Sequence, residues 1–444
     1  MGYGLYLYVR ALPEAPRDPP DILMFTLCSI RADHVHAYGY ANETTPNIDA
    51  LAASSTRYVN AYSAGTFTGS SHAALLTGLL PATNGVLSPG DKLLPTVRTL
   101  PEILHDFGYS TAAFMGARGP AVFGDGDGLE RGFDSMNNVF PNPTAMVAGA
   151  AKWWKEAKHP AFMVVHIRDA HAPYATPLPT ADARIRAWRN DAFGPGTHAS
   201  PTTSLLADAL RDDPTLKNEL SALYDQGVQA ADANVGRALK AINPDMQHTV
   251  IVLAADHGEA LGEDGHLGHH RYNDPAVVHV PLLVHYPKDL VDDEPDVVQT
   301  EVSLLDVPPT LLALAQVPPL GLQDGRSLVG LGEVPLWTAH NADTGARPAL
   351  VQMSHSTFGT QPRISTVVTT QDWRLTNAGG APLFQHRVVE RNAGTESERW
   401  EPADDPNTLT ALLKYYTEHA PIAPPAAQKL SPETVNALRK AGYW

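Results

Sequence analysis

Five short, almost uninterrupted apolar runs constrain this chain more than any other feature. They lie at residues 22–27 (Ile-Leu-Met-Phe-Thr-Leu), 110–115, 161–167, 249–254 and 280–285. A run of six or seven residues with little polar alternation is the pattern of a strand covered on both faces. Amphipathic stretches lie between the runs, at residues 46–53, 100–107 and, longest and most periodic, 220–242. Thr45 is placed to cap the first of these with Pro46 at its first helical position, and Gly108 is placed to end the second. Strands alternating with helices predict an α/β fold with a mostly parallel sheet flanked by helices. In such sheets ligands bind at the carboxyl ends of the strands.

After about residue 325 the texture changes. Residues 351–354, 364–369 and 373–375 are short runs between polar and Gly/Pro breaks, which suit a small antiparallel sheet. Residues 431–441 read as a terminal helix, with Ser431 capping and Pro432 following. The expected organisation is a Pro-rich linker over residues 1–20, a main α/β domain over 21–330 and a small C-terminal α+β subdomain over 331–444.

Bulk properties narrow the function. A formal charge of −16 argues against a nucleic-acid partner, which requires clustered Lys and Arg. It leaves an anionic small substrate open, because a metal and a few local cations outweigh a distant acidic surface. Cys28 is the single cysteine, so no intrachain disulfide forms. The apolar run at residues 5–9 is too short for a membrane span or a signal segment. Either the protein is cytoplasmic, or a leader or membrane anchor was removed ahead of residue 1.

Five clusters carry chemistry; three follow apolar strands and a fourth opens a helix. Cys28-Ser29-Ile30-Arg31 follows the first run. A buried cysteine is commonly just a small apolar residue, but at a strand end it is also a potential thiolate ligand. Asp169-Ala170-His171-Ala172-Pro173-Tyr174 follows the third run, and Asp256-His257-Gly258-Glu259 the fourth. A carboxylate beside an imidazole is an ordinary first shell for zinc or manganese. His266, His269 and His270 come just downstream. The fifth cluster, Thr66-Phe67-Thr68-Gly69-Ser70-Ser71-His72, runs directly into an Ala/Leu helix whose free N–H groups suit a tetrahedral oxyanion. Each cluster alone also reads as a cap, a turn or a polar loop. Their joint placement at one sheet edge points to a single composite site.

The order of these segments resembles that of bacterial sulfatase-like hydrolases of the alkaline phosphatase superfamily. Residues 22–40 resemble the family's opening strand and loop. Thr44-Thr45-Pro46-Asn47-Ile48-Asp49-Ala50-Leu51-Ala52 resembles its TTPNLDxLA helix. Residues 68–78 resemble the signature C/S-x-P-S-R-x-x-L-x-T-G. Residues 108–114, 132–134, 169–174, 256–259, 306–312, 325–328 and 438–443 follow in order. The resemblance implies an alkaline-phosphatase-like fold and an anionic ester substrate in a periplasmic or extracytoplasmic setting. It implies Thr68, His171 and His269 as catalytic residues, with His72, Arg31 and Asp169 contacting substrate. It also implies a divalent metal on Cys28, Asp256 and His257.

Three departures from the pattern sharpen this. Thr68 stands where relatives carry the Cys or Ser that becomes formylglycine, and threonine cannot yield that aldehyde. A threonine alkoxide and a covalent ester intermediate are implied instead. Ser70 and His72 replace the signature Pro and Arg. Cys28 stands where relatives carry a ligand Asp, which favours zinc over manganese or calcium. The leading expectation is a metal-dependent hydrolase of phosphate or sulfate esters. The alternatives are a catalytically impaired binding protein that lost its metal site at Cys28, and a transferase passing the phospho-group to an acceptor hydroxyl.

Overall fold

The computed structural model describes residues 18–412, apart from 117–125, 139–141, 173, 175–180, 194–200, 270–273, 289, 292–295, 318–322, 330–348, 356–362, 370–372, 378–382, 393–394, 404 and 406–411. The helix expected at 431–441 and most of the expected linker lie outside the described residues.

The five apolar runs all become strands of one eight-stranded sheet. Its strands are β1 (Asp21–Leu27), β2 (Thr56–Tyr58), β3 (Ser110–Met115), β4 (Ser135–Asn138), β5 (Ala161–Ile167), β6 (Thr249–Ala255), β7 (Leu282–His285) and β8 (Val297–Val298). The order across the sheet is β8-β2-β7-β6-β1-β5-β3-β4. β1 runs parallel to both β5 and β6, and β3 runs parallel to β5 and β4. β7 is antiparallel to its neighbours β6 and β2, so the sheet is mixed but mostly parallel. Every residue of β1, β5 and β6 is buried, as continuous apolar runs require. Ile22, Leu23, Met24, Phe25 and Leu27 expose no surface. Each such side chain contributes roughly 1.5–3 kcal/mol by leaving water.

The helices that bear on the site are α1 (Pro46–Ala52), α2 (Thr68–Thr77), α3 (Leu100–Asp106), α4 (Pro143–Glu156) and α5 (Pro214–Ile242). Thr45 occupies the N-cap of α1, but its hydroxyl accepts from none of the helix N–H groups. It accepts from the His36 N–H and donates to Asp49 Oδ1, both at 3.0 Å. The Asp232 carboxylate on α5 instead takes the free N–H groups of Asn47 (3.0 Å) and Ile48 (2.8 Å). A charged acceptor from a packed helix outcompetes the local hydroxyl, and no local pattern around Thr45 announces it.

The change of texture after residue 325 corresponds to a second sheet. It is an antiparallel meander of β9 (Ala349–His355), β10 (Arg363–Thr369), β11 (Trp373–Asn377), β12 (Leu383–Asn392) and β13 (Thr395–Pro402).

Candidate active site

Register builds the site. Leu27 is level with Ile167 on one side and with Ala255 on the other, so β1, β5 and β6 end together. The Cys28 N–H donates to the Ile167 carbonyl (2.8 Å), and the Asp256 N–H donates to the Leu27 carbonyl (3.0 Å). Cys28, Arg168 and Asp256 therefore leave the sheet at one edge, where ligands bind in parallel sheets.

The backbone turns sharply after Cys28. Ser29 has a φ of 62°, a left-handed conformation rare for a residue with a side chain. Tyr224 of α5 holds this turn: its hydroxyl donates to the Ser29 carbonyl (2.6 Å) and accepts from the Arg31 N–H (2.9 Å). The turn aims the Ser29 N–H at Asp256 Oδ1 (3.2 Å), which also accepts from the His257 N–H (2.8 Å). Gly258 permits the next bend. Its N–H bonds the Val277 carbonyl at 2.7 Å, and a β-carbon there would lie 2.1 Å from the Ala276 carbonyl oxygen.

Thr68 is the first residue of α2. The preceding Phe67 is extended and supplies no side-chain cap. The opening N–H groups of the helix thus remain at its positive end beside the Thr68 hydroxyl. Thr68 Oγ1 lies 3.6 Å from Cys28 Sγ and 3.4 Å from His257 Nε2. His257 Nδ1 is 2.9 Å from the Gly258 carbonyl, which can only accept. Nδ1 therefore carries a proton, and Nε2 faces the Thr68 hydroxyl.

A file of rings continues outward. His257 and His269 have centroids 4.2 Å apart, and His269 and His171 meet edge-on at 5.0 Å. Arg168 donates to His171 Nε2 at 3.2 Å, since His171 Nδ1 donates to the Ala172 carbonyl, and His269 Nδ1 lies 3.2 Å from the Glu259 carboxyl. Burial, reinforced by Arg168, holds both imidazoles well below their ordinary pKa and therefore neutral. Burial also pushes the Glu259 carboxyl up to about 7, against the pull of His257, Ser29, Arg168 and Arg31. The Cys28 thiol is raised first by burial and then by the Asp256 carboxylate.

The structure thus brings together Cys28, Thr68, His171, Asp256, His257 and His269. It engages the three expected substrate contacts elsewhere. Arg31 is paired with Asp33 (2.7 Å) and Glu263 (2.8 Å), which neutralise its charge. His72 uses one nitrogen on the Thr68 carbonyl (2.9 Å) and the other on Thr26 (3.1 Å), so neither ring nitrogen is turned toward a ligand. Asp169 accepts from the Asn234 amide (2.9 Å), and its carboxylate would repel an anionic ester.

Three contributors escaped the sequence reading. Thr26 and His166 are neighbours in register, hydrogen-bonded at 3.0 Å beneath the site. The signal was present: each is the lone polar residue interrupting the interior of an apolar strand. Arg168 lies one residue beyond the run that contains His166, inside a turn read only for Asp169 and His171.

The donor set fits a metal. Donor atoms of Cys28, His166 and Asp256 lie within 4.8 Å of one another. His166 Nε2 and Asp256 Oδ2 are buried with no hydrogen-bond partner among the described residues. Thiolate, imidazole and carboxylate together suit zinc, whereas calcium and magnesium require oxygen. This trio contains His166 where the sequence resemblance implied His257, whose Nε2 faces Thr68.

Comparison with known proteins agrees with this architecture. A family model described as Sulfatase matches residues 20–317. A sulfatase of Formosa agariphila is 23% identical over 377 residues, covering 70% of this chain and 72% of the relative. Human arylsulfatase A is 26% identical over 376 residues, covering 71% of this chain and 69% of the relative. Among solved structures, a phosphonate monoester hydrolase from Silicibacter pomeroyi superposes with a TM-score of 0.64 at 19% identity, covering 90% of this chain and 96% of that one.

Proposed function

The chain belongs to the sulfatase family of the alkaline phosphatase superfamily, and from that premise we propose that it hydrolyses phosphate or sulfate esters with Thr68 as nucleophile. One observation carries the reading: the Thr68 hydroxyl stands at the start of α2, with His257 Nε2 3.4 Å away and Cys28 Sγ at 3.6 Å. Nucleophile, proton acceptor and metal donor meet at one point.

Cys28 and Asp256 would hold the divalent metal, zinc by their donor chemistry. When bound, such a cation polarises the ester and favours the ionised hydroxyl. His257 Nε2 takes the Thr68 proton as Oγ1 attacks phosphorus or sulfur and the bond to the leaving oxygen breaks. The opening N–H groups of α2 and the Arg168 guanidinium stabilise the anionic oxygens. His171 and His269, held neutral by burial, face the departing side, and the leaving oxygen departs as its anion and takes a proton from solvent. Water entering on the departing side then gives its proton to His269 as its oxygen attacks the esterified centre; the bond to Thr68 Oγ1 breaks, His257 returns its proton to that oxygen, and phosphate or sulfate is released. The threonine leans the substrate toward phosphate, since it needs no formylglycine.

The test is a panel of aryl phosphodiester, phosphomonoester and sulfate substrates with the zinc-loaded protein. The expected result is turnover of at least one ester and, after acid quench, a mass increase on the peptide that contains Thr68. Equal turnover by Thr68→Val would refute the assignment. An acceptor alcohol in excess separates the transferase alternative, which predicts transfer in place of hydrolysis.

A further inference from the structure

We propose that His166 is a metal ligand, the third donor beside Cys28 and Asp256, and that Thr26 and His72 present its Nε2 lone pair to the metal. This deepens the metal-assisted reading above and rests on it for the presence of a cation.

The argument is one of proton counting. The Thr68 carbonyl can only accept, so His72 Nδ1, 2.9 Å away, must donate to it. His72 is fully buried, where an uncharged ring is favoured, and with its one proton used on Nδ1 its Nε2 is an acceptor. Nε2 therefore accepts from the Thr26 hydroxyl at 3.1 Å. With its one proton committed, Thr26 Oγ1 can only accept from His166 Nδ1 at 3.0 Å. The His166 proton is thereby fixed on Nδ1, and Nε2 is left as a bare lone pair. That atom is buried and has no hydrogen-bond partner among the described residues, and neither has Asp256 Oδ2.

A histidine that merely fills the core would pair its second nitrogen, because a buried unsatisfied polar atom costs about 1–3 kcal/mol. Here two such atoms occur in one cluster with the Cys28 thiol, and both are acceptors. Neither can satisfy the other, and a cation satisfies both. The arrangement also has the outer hydrogen bond that metal-bound imidazoles require to fix their tautomer. It leaves His257 Nε2 to Thr68.

The test reads metal binding without substrate. The full-length protein is stripped with a chelator and titrated with zinc against a chromophoric competitor, then with cobalt(II) for its absorption spectrum. The parent is expected to bind one zinc and, with cobalt, to show thiolate charge transfer and the strong visible bands of a tetrahedral site. His166→Gln is expected to weaken zinc binding by about a hundredfold or more and to alter the visible bands while keeping the thiolate band. Thr26→Val is expected to lose about tenfold, as a lost outer hydrogen bond does, and Thr26→Ser to restore it. His257→Gln is expected to bind zinc like the parent. If His166→Gln fails to fold, the Thr26→Val and Thr26→Ser pair decides. Parent-like zinc affinity in His166→Gln, equal affinities in the two Thr26 variants, or no zinc bound by the parent overturns the proposal. Absence of turnover with these affinities intact would refute the hydrolase reading alone.

Discussion

Gly258→Ala tests the geometry of the Asp256–His257 turn. Gly258 does not occupy the left-handed region, so the substitution acts through space and not through backbone strain. The added β-carbon would lie 2.1 Å from the Ala276 carbonyl oxygen and 3.1 Å from its carbon, where real β-carbons do not approach within 3.0 Å. Both sides of the clash are backbone, tied by the 2.7 Å bond from the Gly258 N–H to the Val277 carbonyl. No side chain can swing away, so the turn must move by about 1 Å. Overpacking of this kind costs roughly 1–3 kcal/mol of stability. His257 is adjacent, and a misplacement of about 1 Å at a reacting group costs on the order of a hundredfold in rate, or about 2.7 kcal/mol of barrier. Urea unfolding followed by circular dichroism reads the first quantity, and kcat/KM on the best ester of the panel reads the second. Gly39→Ala is the control. Gly39 has a φ of 99° and no atom within 4 Å of a β-carbon. That variant should lose about 1 kcal/mol and no activity. A Gly258→Ala protein within about 0.5 kcal/mol and about threefold of the parent would refute the reasoning.

Thr68→Val should lower kcat/KM by at least about three orders of magnitude with little change in unfolding, whereas Thr68→Ser should retain turnover; comparable losses in both would count against a hydroxyl nucleophile. Asp232→Ala strips the acceptor from the start of α1 and should cost about 1–3 kcal/mol in urea unfolding; an unchanged midpoint would show that water serves equally well. Burial pushes the Asp91 carboxyl up to about 6, outweighing the N–H groups of Ser88 and Leu87 that favour its charge. The folded chain therefore binds more protons here than the unfolded chain between about pH 4 and 6, so this contribution is fully present below about pH 4 and lost as pH rises to about 6. Asp91→Asn should flatten that segment of the stability profile, and parallel profiles would refute it.

The sheet was legible because continuous apolar runs admit few alternatives, and β1, β5 and β6 needed only their register to align Cys28, Arg168 and Asp256. The site clusters were legible because chemistry-bearing residues followed those runs. What escaped was decided by partners distant in the chain. Arg31 reads as a cation ready for an anion, yet Asp33 and Glu263 neutralise it, and Glu263 is 232 residues away. His72 reads as a substitute for a substrate-binding arginine, yet its nitrogens are committed to Thr68 and Thr26. Asp232 caps α1 from 185 residues away. Hydrogen-bond occupancy is a property of the assembled structure, and sequence position does not encode it.

Cys28 and His166 are best understood together. A carboxylate at position 28 would place a second buried negative charge beside Asp256, and burying two like charges together is costly. The thiol avoids that cost, because burial and Asp256 keep it protonated until a cation arrives. A neutral imidazole avoids it as well, and burial pushes the His166 ring down to about 3, so it stays uncharged across the working range. On the proposal above, a thiol and an imidazole would add no charge of their own to the empty site and would favour zinc in the filled one. On that proposal Cys28 and His166 would act together as softer donors, and the hydrogen-bonded chain from the Thr68 carbonyl through His72 and Thr26 would tie them to the start of α2.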